Sequence, residues 1–181
     1  MSSPLTRLRR AAVALAATPL LLVACSSTDD AAPTTAADAV TIREQWIKAA
    51  ESDMSAAFGE LANGADRDLT IVSATSPASA TVELHEVVTD DSGAKVMRPK
   101  KGGFTIPAHG ALALRPGADH IMFMGLNGPL RTGSETPVTL TFDDGSSMTF
   151  TAQVRDFPGN QENYVPDEEH GASGSAPAHG G

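Results

Sequence analysis

The chain has a single cysteine, Cys25. No disulfide can form within it, and no pair of thiolates can hold a metal. Aromatic residues make up 4% of the chain, with one tryptophan and one tyrosine. That is too few for a stacking platform that would read single-stranded nucleic acid or grip a sugar. Basic residues are outnumbered, 13 Lys and Arg against 22 Asp and Glu, for a formal charge of −9. An acidic surface argues against nucleic acid and against a polybasic membrane patch. Beyond the N-terminal region, no run is long and apolar enough to span a bilayer. A Gly-x-Ser-x-Gly elbow, a phosphate loop, a dinucleotide fingerprint and a His-Glu-x-x-His motif are all missing. The adjacent carboxylates Asp90–Asp91 and Asp143–Asp144 read as turn formers. With no nucleophile or acid–base constellation, an enzyme is not expected.

The N-terminus does carry a signal. Arg7, Arg9 and Arg10 form a basic region, followed by an apolar stretch from Ala11 to Ala24 that is short for a membrane span. Leu22-Val23-Ala24-Cys25 resembles a bacterial lipobox. The resemblance implies a signal peptide over 1–24, cleavage before Cys25, and acylation of that residue. The mature protein would then sit on the outer face of the cell membrane, a lipoprotein held by lipid alone. Residues 25–38, the lipidated cysteine and a stretch of Ser, Thr, Ala, Asp and Pro, read as a flexible linker.

From residue 39 to 157 the chain breaks into short apolar-rich runs. Asn63-Gly64, Ser76-Pro77, Asp90 to Gly93, Arg115-Pro116-Gly117 and Asp143-Asp144-Gly145 punctuate them. Val138, Leu140 and Phe142 alternate with Thr139 and Thr141, the period of a half-buried strand. Many short strands with such turns, and no βαβ alternation, indicate one all-β domain, an antiparallel sandwich or barrel. Residues 158–181 lack the apolar content to pack and are expected to be disordered. They contain His170 and His179.

The most informative stretch is Asp119 to Leu126. Strand alternation puts His120, Met122 and Met124 on one face, and Ile121 and Phe123 on the other. The domain also holds His85 and His109, and Met54, Met97 and Met148. Thioether sulfur is a soft donor that favours Cu(I), and imidazole serves copper in either oxidation state. A His/Met set without thiolate is therefore a Cu(I) site before anything else, and carriage fits better than electron transfer, which would use a cysteine ligand. Taken singly, a strand methionine is more often core filler. Met148 reads as core, His109 as a solvated turn residue, and Met54 as a weak reserve. For His170 and His179, weak Cu(II) binding and an inert tail both stay open.

Val82-Glu83-Leu84-His85-Glu86, Met97-Arg98, Leu114-Arg115-Pro116-Gly117 and His120-Ile121-Met122-Phe123-Met124-Gly125-Leu126 resemble the periplasmic copper chaperone family with the PCuAC domain. The likeness covers 39–157. It implies a cupredoxin-like Greek-key β-barrel or sandwich of short antiparallel strands. It implies one Cu(I) bound by His85, Met97, His120 and Met122, with Met124 the reserve sulfur. It also implies delivery toward cytochrome c oxidase assembly, to a Sco-type protein or the oxidase's copper subunit. Eleven residues separate His85 from Met97 and twenty-two separate Met97 from His120, each interval one longer than the family pattern. Asp119 stands where the family often has an aromatic. The rival reading is a β-sandwich envelope lipoprotein that binds a protein or ligand and keeps its methionines as core. Burial of Met97 and Met122 in separate parts of the fold would favour the rival.

Overall fold

Alternation and turn chemistry divide the chain into one helical turn and eleven strands among the described residues. The computed structural model describes residues 34–159 and 163–165. The expected signal peptide, Cys25, the linker as far as residue 33, His170 and His179 lie outside them. In order the elements are α1 (Ala36–Ala39), β1 (Val40–Lys48), β2 (Met54–Asn63), β3 (Leu69–Thr75), β4 (Ser79–Thr89), β5 (Lys95–Pro99), β6 (Phe104–Ile106), β7 (Ala111–Leu114), β8 (His120–Leu126), β9 (Glu135–Phe142), β10 (Ser147–Arg155) and β11 (Asn163–Tyr164). Hydrogen bonding links the strands in the order β11-β5-β4-β8-β2-β1-β10-β9-β3-β6, with β7 also on β2. The pairings are antiparallel except β1 with β10 and β11 with β5.

One face of this sheet encloses the main core. Ile47, Leu61, Ile71, Phe104, Ile121 and Leu140 are fully buried in it, each worth roughly 1.5–3 kcal/mol of burial. The β9–β10 hairpin follows the sequence pattern. Val138, Leu140 and Phe142 face Phe150, Ala152 and Val154 in the core, while the Thr139 and Thr149 hydroxyls bond across the ladder on the outside. Gly103, with φ of +77°, brings β6 against β3 so closely that a Cβ would lie 2.0 Å from the Ile71 carbonyl oxygen. Only glycine serves there.

Two expectations need correction. The linker does not run to residue 38. Thr35 and Asp38 form a reciprocal capping box on α1, so residues that read as linker polarity are helix-capping groups. The turn docks on the β9–β10 hairpin, where the Asp144 carboxylate accepts from the Ala36 amide at 2.7 Å and Ala36 is completely buried. The tail is not wholly without structure either. Asn163–Tyr164 adds a parallel strand to β5, and the Val165 amide donates to the Met97 carbonyl at 2.9 Å.

A β-bulge in β1 decides which way Trp46 points. Arg43 pairs with Glu60, but the next pair is Trp46 with Phe58, leaving one extra residue on β1 and Glu44 at φ 55°. An extra residue inverts which side chains face inward. Val40 faces the core before the bulge and Ile47 after it. Trp46 is thereby turned to the opposite face.

Candidate metal centre

Strands β5, β4, β8 and β2 lie side by side, and their alternation gives the sheet two apolar faces. Leu84, Ile121, Phe123 and Ala57 point into the main core. The residues between them form a second, smaller cluster of Ala56, Phe58, Met97 and Met122, with Trp46, Val87, Met124 and Tyr164 packed against it. Register fixes the arrangement. His85 stands opposite His120, Glu83 opposite Met122, and Val87 opposite Met97. Directly opposed residues project from the same face of a ladder, so His85, Met97, His120 and Met122 share one face. Met97 and Met122 are not buried in separate parts of the fold.

Both histidines are fully buried, and their rings meet edge to face with centroids 5.5 Å apart. Each is oriented by a different acceptor. The Glu83 carboxylate lies 2.7 Å from His85 Nε2, and the Ala118 carbonyl lies 2.8 Å from His120 Nδ1. A carboxylate and a carbonyl oxygen accept hydrogen bonds and donate none, so His85 carries its proton on Nε2 and His120 on Nδ1. Burial lowers the pKa of His85, and the hydrogen bond and charge of Glu83 oppose that only in part. The ring is thus kept neutral. His85 Nδ1 is buried with no hydrogen-bond partner among the described residues. A buried polar atom left this way costs about 1–3 kcal/mol, and a metal ion is one species that would satisfy it.

Aromatic rings wall the site. Tyr164 stacks on His85 at 5.3 Å and 6° between planes. Phe58 lies 6.2 Å from the His120 ring, and Trp46 packs on Phe58 at 4.6 Å and on Phe157 at 5.3 Å. At the rim, Lys100 bridges Asp119 at 3.2 Å and Glu86 at 3.3 Å. Asp119 is thus an ion-pair partner at the rim.

The remaining candidates lie elsewhere or at the margin. Met124 is half-buried at the edge of the cluster, opposite Met54, which is 41% exposed. Met148 packs against the main core. His109 is exposed in the turn between β6 and β7. Sequence reasoning did not find Glu83, although its place two residues before His85 on a strand was a usable signal. Tyr164 and Phe58 offered none. Among the described residues, no three His, Cys, Asp or Glu side chains gather to hold a metal. Thioether sulfur beside imidazole, the donor set on this face, is one that favours a soft ion.

The fold has known counterparts. The family model described as "Putative lipoprotein LpqE-like" matches residues 40–154, and the chain belongs to that family. It is 47% identical over 128 residues to "Putative lipoprotein Lxx21020" of Leifsonia xyli subsp. xyli (strain CTCB07), covering 71% of this chain and 76% of that relative. Among solved structures, it is similar to the copper-bound PCuAC domain from PmoF2, with a TM-score of 0.55 and 18% identity over 67% of this chain and 97% of that one. The apo PCuAC domain from PmoF1 gives a TM-score of 0.54 and 14% identity over 65% and 94%. At these identities the likeness establishes the fold, the cupredoxin-like β-sandwich that the sequence motifs led us to expect.

Proposed function

We propose that the protein is an exported, lipid-anchored copper chaperone that holds one Cu(I) through His85, Met97, His120 and Met122. The observation that carries this reading is the shared face: two buried, register-paired imidazoles with two thioethers in the adjoining cluster. The family's description as lipoproteins supports anchoring at Cys25. Likeness in fold to a copper-bound PCuAC domain supports the choice of metal. The chemistry agrees. Neutral thioethers hold Cu(I) without losing a proton, are not lost to disulfide formation outside the cell, and release it to thiolate-rich acceptors by stepwise ligand replacement. Such acceptors include a Sco-type protein or the copper subunit of cytochrome c oxidase. Carriage, not catalysis, is the role that this site fits.

The test is Cu(I) titration against a competing chelator in the wild type, Met122→Ala and His120→Ala. Unchanged affinity in both variants overturns the site. Delivery is tested in a deletion strain at limiting copper, where normal oxidase assembly counts against it. A second reading, a binding lipoprotein with structural methionines, draws on the packing of Met97 and Met122 against Phe58. Substitution of each methionine by leucine separates the two readings.

A further inference from the structure

We propose that Glu83 is a positioning residue for this site, fixing His85 in the tautomer that offers Nδ1, and not Nε2, to the metal. The copper itself rests on the function proposed above; the tautomer does not. Glu83 and His85 are two apart on β4 and so project from the same face. Their contact, Glu83 Oε2 to His85 Nε2 at 2.7 Å, needs no distant element to form. An ionised carboxylate only accepts, and a neutral imidazole has one N–H, so the lone pair is left at Nδ1. That nitrogen is buried and lacks a hydrogen-bond partner among the described residues. The donor is thus aimed inward while the proton-bearing side of the ring faces a carboxylate that is 29% exposed at the rim.

The neighbouring histidine is set the other way. His120 donates its Nδ1–H to the Ala118 carbonyl in a hydrogen bond of 2.8 Å, which leaves the lone pair at Nε2. Two residues that look equivalent in sequence, and that stand opposite one another on β4 and β8, present unlike nitrogens. One acceptor is backbone and survives any substitution of its residue. The other is the side chain of Glu83, the one group at this contact that a single substitution removes. A carboxylate behind a ligating imidazole also orients the ring and raises its basicity, and losing such a partner typically costs about 10- to 100-fold in metal affinity.

The experiment measures the His85 tautomer by long-range 15N–1H correlation NMR on the metal-free protein, alongside Cu(I) competition titration and thermal unfolding. Wild type is expected to show the Nε2–H form. Glu83→Gln, whose amide oxygen still accepts, retains that form and most of the affinity. Glu83→Ala gives a mixture of tautomers and a loss of about 10- to 100-fold in Cu(I) affinity, with cooperative unfolding preserved. An Nδ1–H form in the wild type overturns the proposal, as does Glu83→Ala with tautomer and affinity both unchanged. The expected tautomer in a wild-type protein that binds no Cu(I) overturns the copper reading and leaves the Glu83 contact standing.

Discussion

His85 and His120 are direct ladder partners across β4 and β8, their rings edge to face at 5.5 Å. In the function proposed above, two imidazoles so placed serve one ion together. Alanine at either position is expected to weaken Cu(I) binding at least about tenfold, or about 1.4 kcal/mol. The double variant should lose less than the sum, because both side chains act on one ion. Competition titration of the four proteins completes the cycle.

The same burial that serves binding should weaken the metal-free fold. His85 has its pKa lowered by burial, so as pH falls through 6.5 the unfolded chain takes up a proton that the folded chain does not. Stability present above that pH is lost progressively below it. His85→Leu removes both the titration and the Nδ1 that has no hydrogen-bond partner among the described residues. It is expected to raise metal-free stability by about 1 kcal/mol, to flatten its pH dependence between about pH 7 and 5, and to weaken copper binding. Denaturant unfolding across that range checks it.

Met97 and Met122 are buried among apolar neighbours, so leucine should replace either at a cost below about 1.5 kcal/mol. The sulfur is then gone while the volume remains. An intact fold with Cu(I) affinity reduced at least about tenfold identifies a ligand; retained affinity identifies core packing.

Tyr164 lies over His85 and pairs with Met97. In the metal-free protein, Tyr164→Ala is expected to speed peroxide oxidation of Met97 severalfold. Met54, at 41% exposure, should oxidise quickly in both proteins and serves as the internal reference. Peptide mass spectrometry reads each methionine separately.

Asp144 holds α1 to the hairpin. Hydrogen bonds from Ser146 and from the Ala36 amide depress its pKa from 3.8 to about 2. The stabilisation it gives is present above pH 3.8 and is lost as pH falls toward 2. Asp144→Ala should lower the hydrogen-exchange protection of the Ala36 amide at neutral pH, and acidification of the wild type toward pH 2 should lower that protection relative to the intrinsic exchange rate at the same pH.

Much of the fold, and the strand face that carries the candidate site, is readable from residues alone. The alternation of His120 and Met122 with Ile121 and Phe123 gives the two faces of β8 before any pairing is known. The Asp143-Asp144-Gly145 turn marks the last hairpin. What could not be read depended on partners distant in sequence. Asp144 reads as a turn former, and its second bond reaches a helix 108 residues earlier. Trp46 falls in a run whose period breaks at the bulge, so its face followed only from the register with Phe58. Tyr164 sits in a polar tail where no periodicity marks it, and its place comes from backbone pairing with β5. Asp119 drew notice as a departure from the family pattern, but its partner Lys100 could not be named without the strand order.

The site and the main core occupy opposite sides of the same strands, with Met122 on one side and Ile121 and Phe123, its chain neighbours, on the other. Substitutions on the two sides should therefore be nearly additive in their effect on stability. A substitution at one of the candidate ligands on the second face therefore leaves the main-core packing in place. The metal preference of such a sheet is set by the few side chains on that second face, and the main core that holds the strands together leaves them free to differ.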